Sequence, residues 1–201
     1  MNKRNILPIN FYARPVTEVA QALLGKRLVR ILDGQLLSGL IMETEAYDGM
    51  EDLACHARVG KTQRNSVMFG RAGHAYVYFT YGMHWCLNVV TGEEGYPAAV
   101  LIRAIEPLEG HSIIASNRPN VDPKNWTNGP AKLTKSLSIA REQNGIDLTT
   151  KAGELWIENG LNIETSHIKS GPRIGISSTP EPWLSMPWRF YCDLNDEEKG
   201  G

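Results

Sequence analysis

Between two apolar runs the chain carries the dipeptide Asp33-Gly34. A two-residue loop with both residues at positive φ suits the right-handed twist of paired strands, and Asp-Gly is among the few pairs that tolerate it. The dipeptide therefore predicts an antiparallel hairpin. Its first arm is Leu28-Val29-Arg30-Ile31-Leu32, and its return runs from Gln35 into Glu43-Thr44-Glu45-Ala46-Tyr47. Regular βαβ alternation and any GxGxxG run are lacking, which argues against a doubly wound fold.

The rest of the pattern extends this beginning. Residues 15–24 place Val16, Val19, Ala20, Leu23 and Leu24 on one helical side, stopped by Gly25. Residues 74–80 alternate as a strand, Tyr81-Gly82-Met83 reads as a turn, and residues 84–91 form the return strand. Residues 92–97 are loop and 98–106 a further strand. Helices are expected at 107–116 and 130–140, the second with Pro130 in its first turn. Short strands are expected near 155–158, 173–176 and 188–192. Strands in series with helices outside describe an α+β fold, a single mixed domain over residues 1–201 with a curved, mostly antiparallel sheet and peripheral helices. A chain of 201 residues is long enough for one sizeable core.

The net charge of −1 does not announce a nucleic-acid binder, but its distribution is uneven. No acidic residue occurs between Asp52 and Glu93, a stretch that carries Arg58, Lys61, Arg64 and Arg71 with His56, His74 and His84. Acids collect instead in residues 43–52 and 193–198. A neutral protein can present one basic face to phosphates, although segregation alone equally describes ordinary solvated charge. The three cysteines, Cys55, Cys86 and Cys192, have no CxxC spacing and read as small buried hydrophobes in a reducing cytoplasm. No apolar run is long enough to span a bilayer, and the basic start lacks the apolar region of a signal peptide.

Strand parity places Glu43, Glu45 and Tyr47 on one face. Acidic residues are depleted in strands and rarely buried without partners. Two of them together would repel, which raises at least one pKa and suits a general base. The plainer alternative is that Glu43 or Glu45 pairs with an arginine such as Arg103; spacing leaves both open. Tyr76 and Tyr78 share another strand face, where ordinary core packing is the simpler account of each. Tyr81 sits in the adjoining turn, with little to pack against, and could stack on or wedge between bases. The glycine- and arginine-rich stretch 60–73 could touch phosphates, but it lacks the GKS/T ending of a triphosphate loop. Asp52, Cys55 and His56 lie close in sequence without the spacing of a metal site.

Glu43-Thr44-Glu45-Ala46-Tyr47 and Asp52-Leu53-Ala54-Cys55-His56-Ala57-Arg58 together closely resemble the signature of the alkyladenine (3-methyladenine) DNA glycosylase family. The resemblance continues through Tyr76-Val77-Tyr78-Phe79-Thr80-Tyr81-Gly82-Met83-His84-Trp85-Cys86-Leu87-Asn88 and Leu101-Ile102-Arg103-Ala104-Ile105-Glu106-Pro107-Leu108-Glu109. It returns in Gly129-Pro130-Ala131-Lys132-Leu133 and Trp188-Arg189-Phe190-Tyr191. It thus spans most of the chain in the family's order, in a minimal bacterial form without the N-terminal extension of some eukaryotic members.

Carried over residue by residue, the resemblance implies Glu45 as general base, with Arg103 beside it and near the DNA backbone. It implies Tyr47, His56 and Tyr78 as walls for a flipped base, and Asn88 as the residue that disfavours guanine's exocyclic amino group. Tyr81 would enter the minor groove. Arg58, Arg64 and Lys132 are the candidates for backbone phosphates. His84 departs from the tyrosine of a well-known eukaryotic relative, which bears on local DNA contacts. The implied partner is double-stranded DNA containing damaged purines (3-methyladenine, 7-methylguanine, hypoxanthine, ethenoadenine). The implied enzyme is a monofunctional glycosylase that leaves an abasic site, with no metal and no organic cofactor. It would be a cytoplasmic, nucleoid-associated monomer that meets no membrane. From the residues alone, a non-catalytic nucleic-acid-binding module and a metal-dependent hydrolase stay open beside it.

Overall fold

The computed structural model describes residues 5–193. The expected hairpin is formed by β1 (Arg27–Leu32) and β2 (Gln35–Asp48), paired antiparallel. Asp33 and Gly34 both take positive φ, 50° and 74°, as a tight reversal between twisted strands requires.

A second hairpin joins β3 (Ala75–Thr80) to β4 (His84–Val90), and β5 (Ala98–Glu109) follows. The shorter strands β6 (Leu155–Glu158), β7 (Lys169–Gly171) and β8 (Arg189–Tyr191) complete the sheet. Its order is β3-β4-β5-β2-β1-β6, with β8 joined to β2 and β7. Every pairing among the described strands is antiparallel. The length of β2 explains the branch: its first half pairs with β1, and Glu43–Glu45 pairs with β8 along the same edge.

Helices α1 (Ile9–Tyr12), α2 (Val16–Ala22), α3 (His111–Asn117) and α4 (Pro130–Ser136) lie against the sheet. The α2 face predicted from spacing is the buried one: Val16, Val19 and Ala20 join Leu23, Ala46, Val77, Leu87, Val100 and Ile102 in the main core. Each fully buried Leu, Val or Ile there is worth roughly 1.5–3 kcal/mol. Thr44 points to the same side, its hydroxyl donating to the Ala20 carbonyl at 2.8 Å. A second, smaller cluster of Cys55, Ala57, Met68, Tyr76, Val90 and Ala99 packs with Tyr47 and Tyr78. The α+β fold of one mixed domain is therefore as the sequence predicts, with a sheet that does not close on itself. Among the described residues no helix is long and apolar enough to cross a membrane.

Three expectations fail locally. The helix expected at 107–116 starts later, because β5 continues through Pro107 to Glu109. Pro107 cannot donate to a ladder, but it sits beside a register shift between Ser38 and Gly39, where a proline is tolerated. The helix expected at 130–140 stops at Ser136, and Ser138 has turned to φ 50°. The strand expected at 173–176 is absent. Pairing ends at Gly171, where Pro172 removes the next donor and Gly175 bends at φ 83°. Of the acidic stretch 193–198, all but Asp193 lies outside the described residues, as do residues 1–4 and 199–201 of the expected domain.

Candidate active site

One irregularity of the sheet builds the site. Between β2 and β5 the register shifts on both sides of Glu43, leaving Met42 and Arg103 without partners. Such bulges bend a strand and re-aim a side chain. Here Arg103 is turned towards both carboxylates: its Nε lies 3.0 Å from Glu43 Oε1 and its Nη1 3.2 Å from Glu45 Oε1. The pairing with Arg103 that spacing left open is real, and it involves both glutamates.

Glu45 is fully buried. Its Oε1 also accepts from the Ile174 N–H at 2.7 Å, and its Oε2 accepts from the Tyr47 hydroxyl at 2.9 Å. Burial raises its pKa above the ordinary carboxylate range, against the opposing pull of Arg103, the Ile174 N–H and the Tyr47 hydroxyl. Glu43 is shared, because Arg189 Nη1 also reaches its Oε1 at 3.1 Å.

In front of this cluster lies a cavity of about 330 Å³, within the range of small-molecule sites. Strand β3 gives it Tyr76 and Tyr78, β4 gives Cys86 and Asn88, and β5 gives Ala99, Leu101 and Arg103. Tyr47, His56, Met68 and residues 174–176 complete much of its wall. His56 meets Tyr78 edge-on, with ring centroids 4.4 Å apart at 77°. Tyr76 and Tyr78 lie 5.4 Å apart at 33°. His56 Nδ1 lies 3.0 Å from the Tyr76 hydroxyl. Burial, then Arg64 and Arg58, pushes the His56 pKa down to about 4, so its imidazole is neutral at physiological pH. Asn88 is buried, and its Nδ2 donates to the Tyr76 carbonyl at 3.0 Å, which fixes the direction of its amide.

Of the residues singled out from sequence, Tyr47, His56, Tyr78, Asn88, Tyr81 and Arg103 all line this cavity, while Glu45 stands directly behind its wall. Tyr81 is 80% exposed at the β3–β4 tip. Its φ of 51° is costly for a bulky side chain, and with Gly82 at 67° it completes the turn. Arg58 and Arg64 are exposed and line an adjoining depression with Asn65, Ser178 and Thr179. Arg64 also donates to the Phe79 carbonyl and lies over the Tyr78 ring. Lys132 lies apart, its Nζ 2.8 Å from Asn128 Oδ1, although Pro130 and Ala131 of the same helix reach the cavity.

Sequence reasoning missed Arg173 altogether. Its guanidinium grips Asp52 with two bonds, Nη1 to Oδ2 at 2.5 Å and Nη2 to Oδ1 at 2.9 Å, both side chains completely out of solvent. It also lies 4.7 Å from the Tyr47 ring centroid and 5.1 Å from that of Trp188. No sequence signal pointed to it, because the burial that makes Asp52 require a cation is a property of the fold. Tyr76 packs in the smaller buried cluster, as core packing predicts, and its hydroxyl also meets His56.

The three residues weighed as a metal site have other partners. Asp52 is held by Arg173, His56 by Tyr76, and Cys55 is a buried thiol pushed up to about 12. Among the described residues no three His, Cys, Asp or Glu side chains are grouped to hold a metal ion. Among the described residues no disulfide forms, and Cys55, Cys86 and Cys192 are all buried.

The model of the methylpurine-DNA glycosylase family matches residues 10–196. A protein of Methanocella arvoryzae is 51% identical over 187 residues, covering 92% of each chain. One of Carboxydothermus hydrogenoformans is 50% identical over 191 residues, covering 94% of this chain and 96% of its own. One of Bacillus subtilis is 45% identical over 194 residues and covers 96% of each. All three carry the name "Putative 3-methyladenine DNA glycosylase". The protein is a DNA repair hydrolase of the glycosylase class. More narrowly, the chain belongs to the methylpurine-DNA glycosylase family.

Proposed function

We propose that the protein flips damaged purines out of duplex DNA and hydrolyses their N-glycosidic bond with water activated by Glu45, leaving an abasic site. The observation that carries this reading is the placement of one fully buried carboxylate, with a raised pKa, behind the wall of an aromatic cavity.

A base inside a duplex is out of reach, so it must be extruded at a cost of a few kcal/mol, least where pairing is already weak. Tyr81 offsets that cost by filling the gap. Tyr47, His56 and Tyr78 receive the base, and a neutral His56 does not repel a purine that alkylation has made cationic. Aromatic faces favour such cations and tolerate several lesion shapes. Asn88, its amide fixed by the bond to the Tyr76 carbonyl, is the pocket residue that opposes guanine's exocyclic amino group.

Bond cleavage develops oxocarbenium character on the sugar. Glu45 as carboxylate stabilises that charge and takes a proton from water entering between Tyr47, Arg103 and Ile174, the three cavity residues that hold it. Arg103 favours the ionised carboxylate, while Arg189 helps to balance the charge of Glu43. Alkylated cationic bases leave readily, whereas neutral hypoxanthine or ethenoadenine needs a proton. Arg58 and Arg64 meet phosphates beside the mouth, and Lys132 meets them farther out. The protein works as a monomer on double-stranded DNA without metal or cofactor. Incubation with hypoxanthine-containing duplex tests the reading: free base and an intact abasic strand are expected, and binding without base release contradicts it.

A further inference from the structure

The geometry assigns a role to Arg173: we propose that it is a positioning residue, whose grip on Asp52 sets the Ile174 N–H against Glu45 and holds the Tyr47 wall. This rests on the reading of Glu45 as the base.

Residues 172–176 have no strand ladder to place them. Pro172 has no N–H, and Gly175 at φ 83° lets the segment bend over the cavity. The segment is instead tied by side chains. Arg189 Nε donates to the Pro172 carbonyl at 3.0 Å, and Arg173 is anchored inward. Besides its two bonds to Asp52, Arg173 Nη1 donates to the Ala46 carbonyl at 2.9 Å, one residue from Glu45. The next N–H along the chain, that of Ile174, lands on Glu45 Oε1 at 2.7 Å.

The far end of the pair reaches the opposite wall. Asp52 Oδ1 also accepts from the Ala54 N–H at 3.0 Å, and Ala54 and His56 both face the cavity. One guanidinium thus ties together the Tyr47 wall, the turn before His56, and the backbone donor on Glu45. A buried ion pair is a poor device for stability alone, since apolar side chains of equal volume serve as well. What it supplies is direction, because a planar fork accepts only one orientation on a carboxylate.

Arg173→Lys is the test, because it keeps the charge and loses the fork. The groups facing Glu45 are Arg103, Glu43, Tyr47, Tyr78, Cys86 and its register partner Arg189. None of them is replaced in the variant, and the Ile174 amide itself separates loss of its contact with Glu45 from a displaced Tyr47. In the wild type the Ile174 amide proton, followed by NMR, should move as Glu45 ionises. In Arg173→Lys that movement should largely vanish, and the acid limb of the excision rate should shift to higher pH. Single-turnover excision should slow roughly 10- to 100-fold, as a misplaced catalytic group implies. Binding to duplex with an abasic analogue should change by no more than about threefold. An Ile174 amide that titrates in the variant as in the wild type, with an unchanged limb, overturns the proposal. If Arg173→Lys fails to fold, Asp52→Asn carries the same measurements and expectations. A wild type that releases no base contradicts the glycosylase reading, while the amide titration still decides the role of Arg173.

Discussion

His56 makes a sharp prediction about acid stability. Its imidazole is held neutral between Tyr76 and Tyr78, and its pKa drops from 6.5 to about 4. In the unfolded chain the same side chain takes up its proton at the ordinary value. Between those two pH values the unfolded state binds more protons, so acidification favours unfolding. The stabilisation is fully present above pH 6.5 and is lost as the pH falls towards 4. The full difference is worth about 3 kcal/mol, of which about 2 kcal/mol is gone at about pH 5.

Other groups titrate in the same range, and Glu45 acts in the opposite direction because its folded pKa is raised. Comparison with His56→Gln cancels them, since the carboxamide still bonds to the Tyr76 hydroxyl but does not ionise. Urea unfolding followed by tryptophan fluorescence at neutral pH and at about pH 5 should show the wild type losing about 2 kcal/mol more than the variant. In thermal melts the gap corresponds to roughly 4–8 °C for a chain of this size. Curves that stay parallel within about 0.5 kcal/mol would refute burial as the reason that His56 is neutral.

Arg173→Met should destabilise the protein by about 3–5 kcal/mol, because Asp52 is left charged and buried, and adding Asp52→Leu should restore most of that in the same urea assay. A double variant no more stable than the single would contradict the pair as the cause. Tyr81→Gly should relieve the positive φ and stabilise the protein by up to about 1 kcal/mol, yet weaken base flipping read by 2-aminopurine fluorescence. Unchanged fluorescence would remove Tyr81 as the wedge. Excision of 7-methylguanine, which needs no added proton to leave, should fall off on the acid side through a pKa above that of a free glutamate, because burial raises Glu45. An acid limb at or below the free value would mean that another group controls the rate.

Much of the architecture is local and therefore legible in the sequence. Asp33-Gly34 dictates the first hairpin, and strand parity puts Glu43, Glu45 and Tyr47 on one face. The helical stripe of Val16, Val19 and Ala20 needs no partner to be recognised. What escaped depends on distant contacts. Arg173 meets Asp52 across 121 positions, and no spacing rule connects them. The residues 173–176 look like a strand because Ile174 and Ile176 alternate with Arg173 and Gly175, but Pro172 has already ended the ladder. The helix expected from 107 starts later, because a register shift against β2 lets Pro107 stay in β5. The bulge that turns Arg103 onto both glutamates is likewise a property of the pairing of two strands, not of either one. Individual wall residues such as Tyr47 and Asn88 were named by resemblance. Their convergence on one cavity is a matter of tertiary packing.

In the proposed mechanism one carboxylate, Glu45, activates the attacking water. Glu45→Gln keeps the shape and the acceptor for the Ile174 N–H, and removes only the charge and the basicity. Single-turnover release of hypoxanthine from duplex DNA, measured beside binding to the same duplex, tests it directly. A fall in rate of roughly 10²- to 10⁴-fold is expected, with affinity largely kept. Release at the wild-type rate would contradict it.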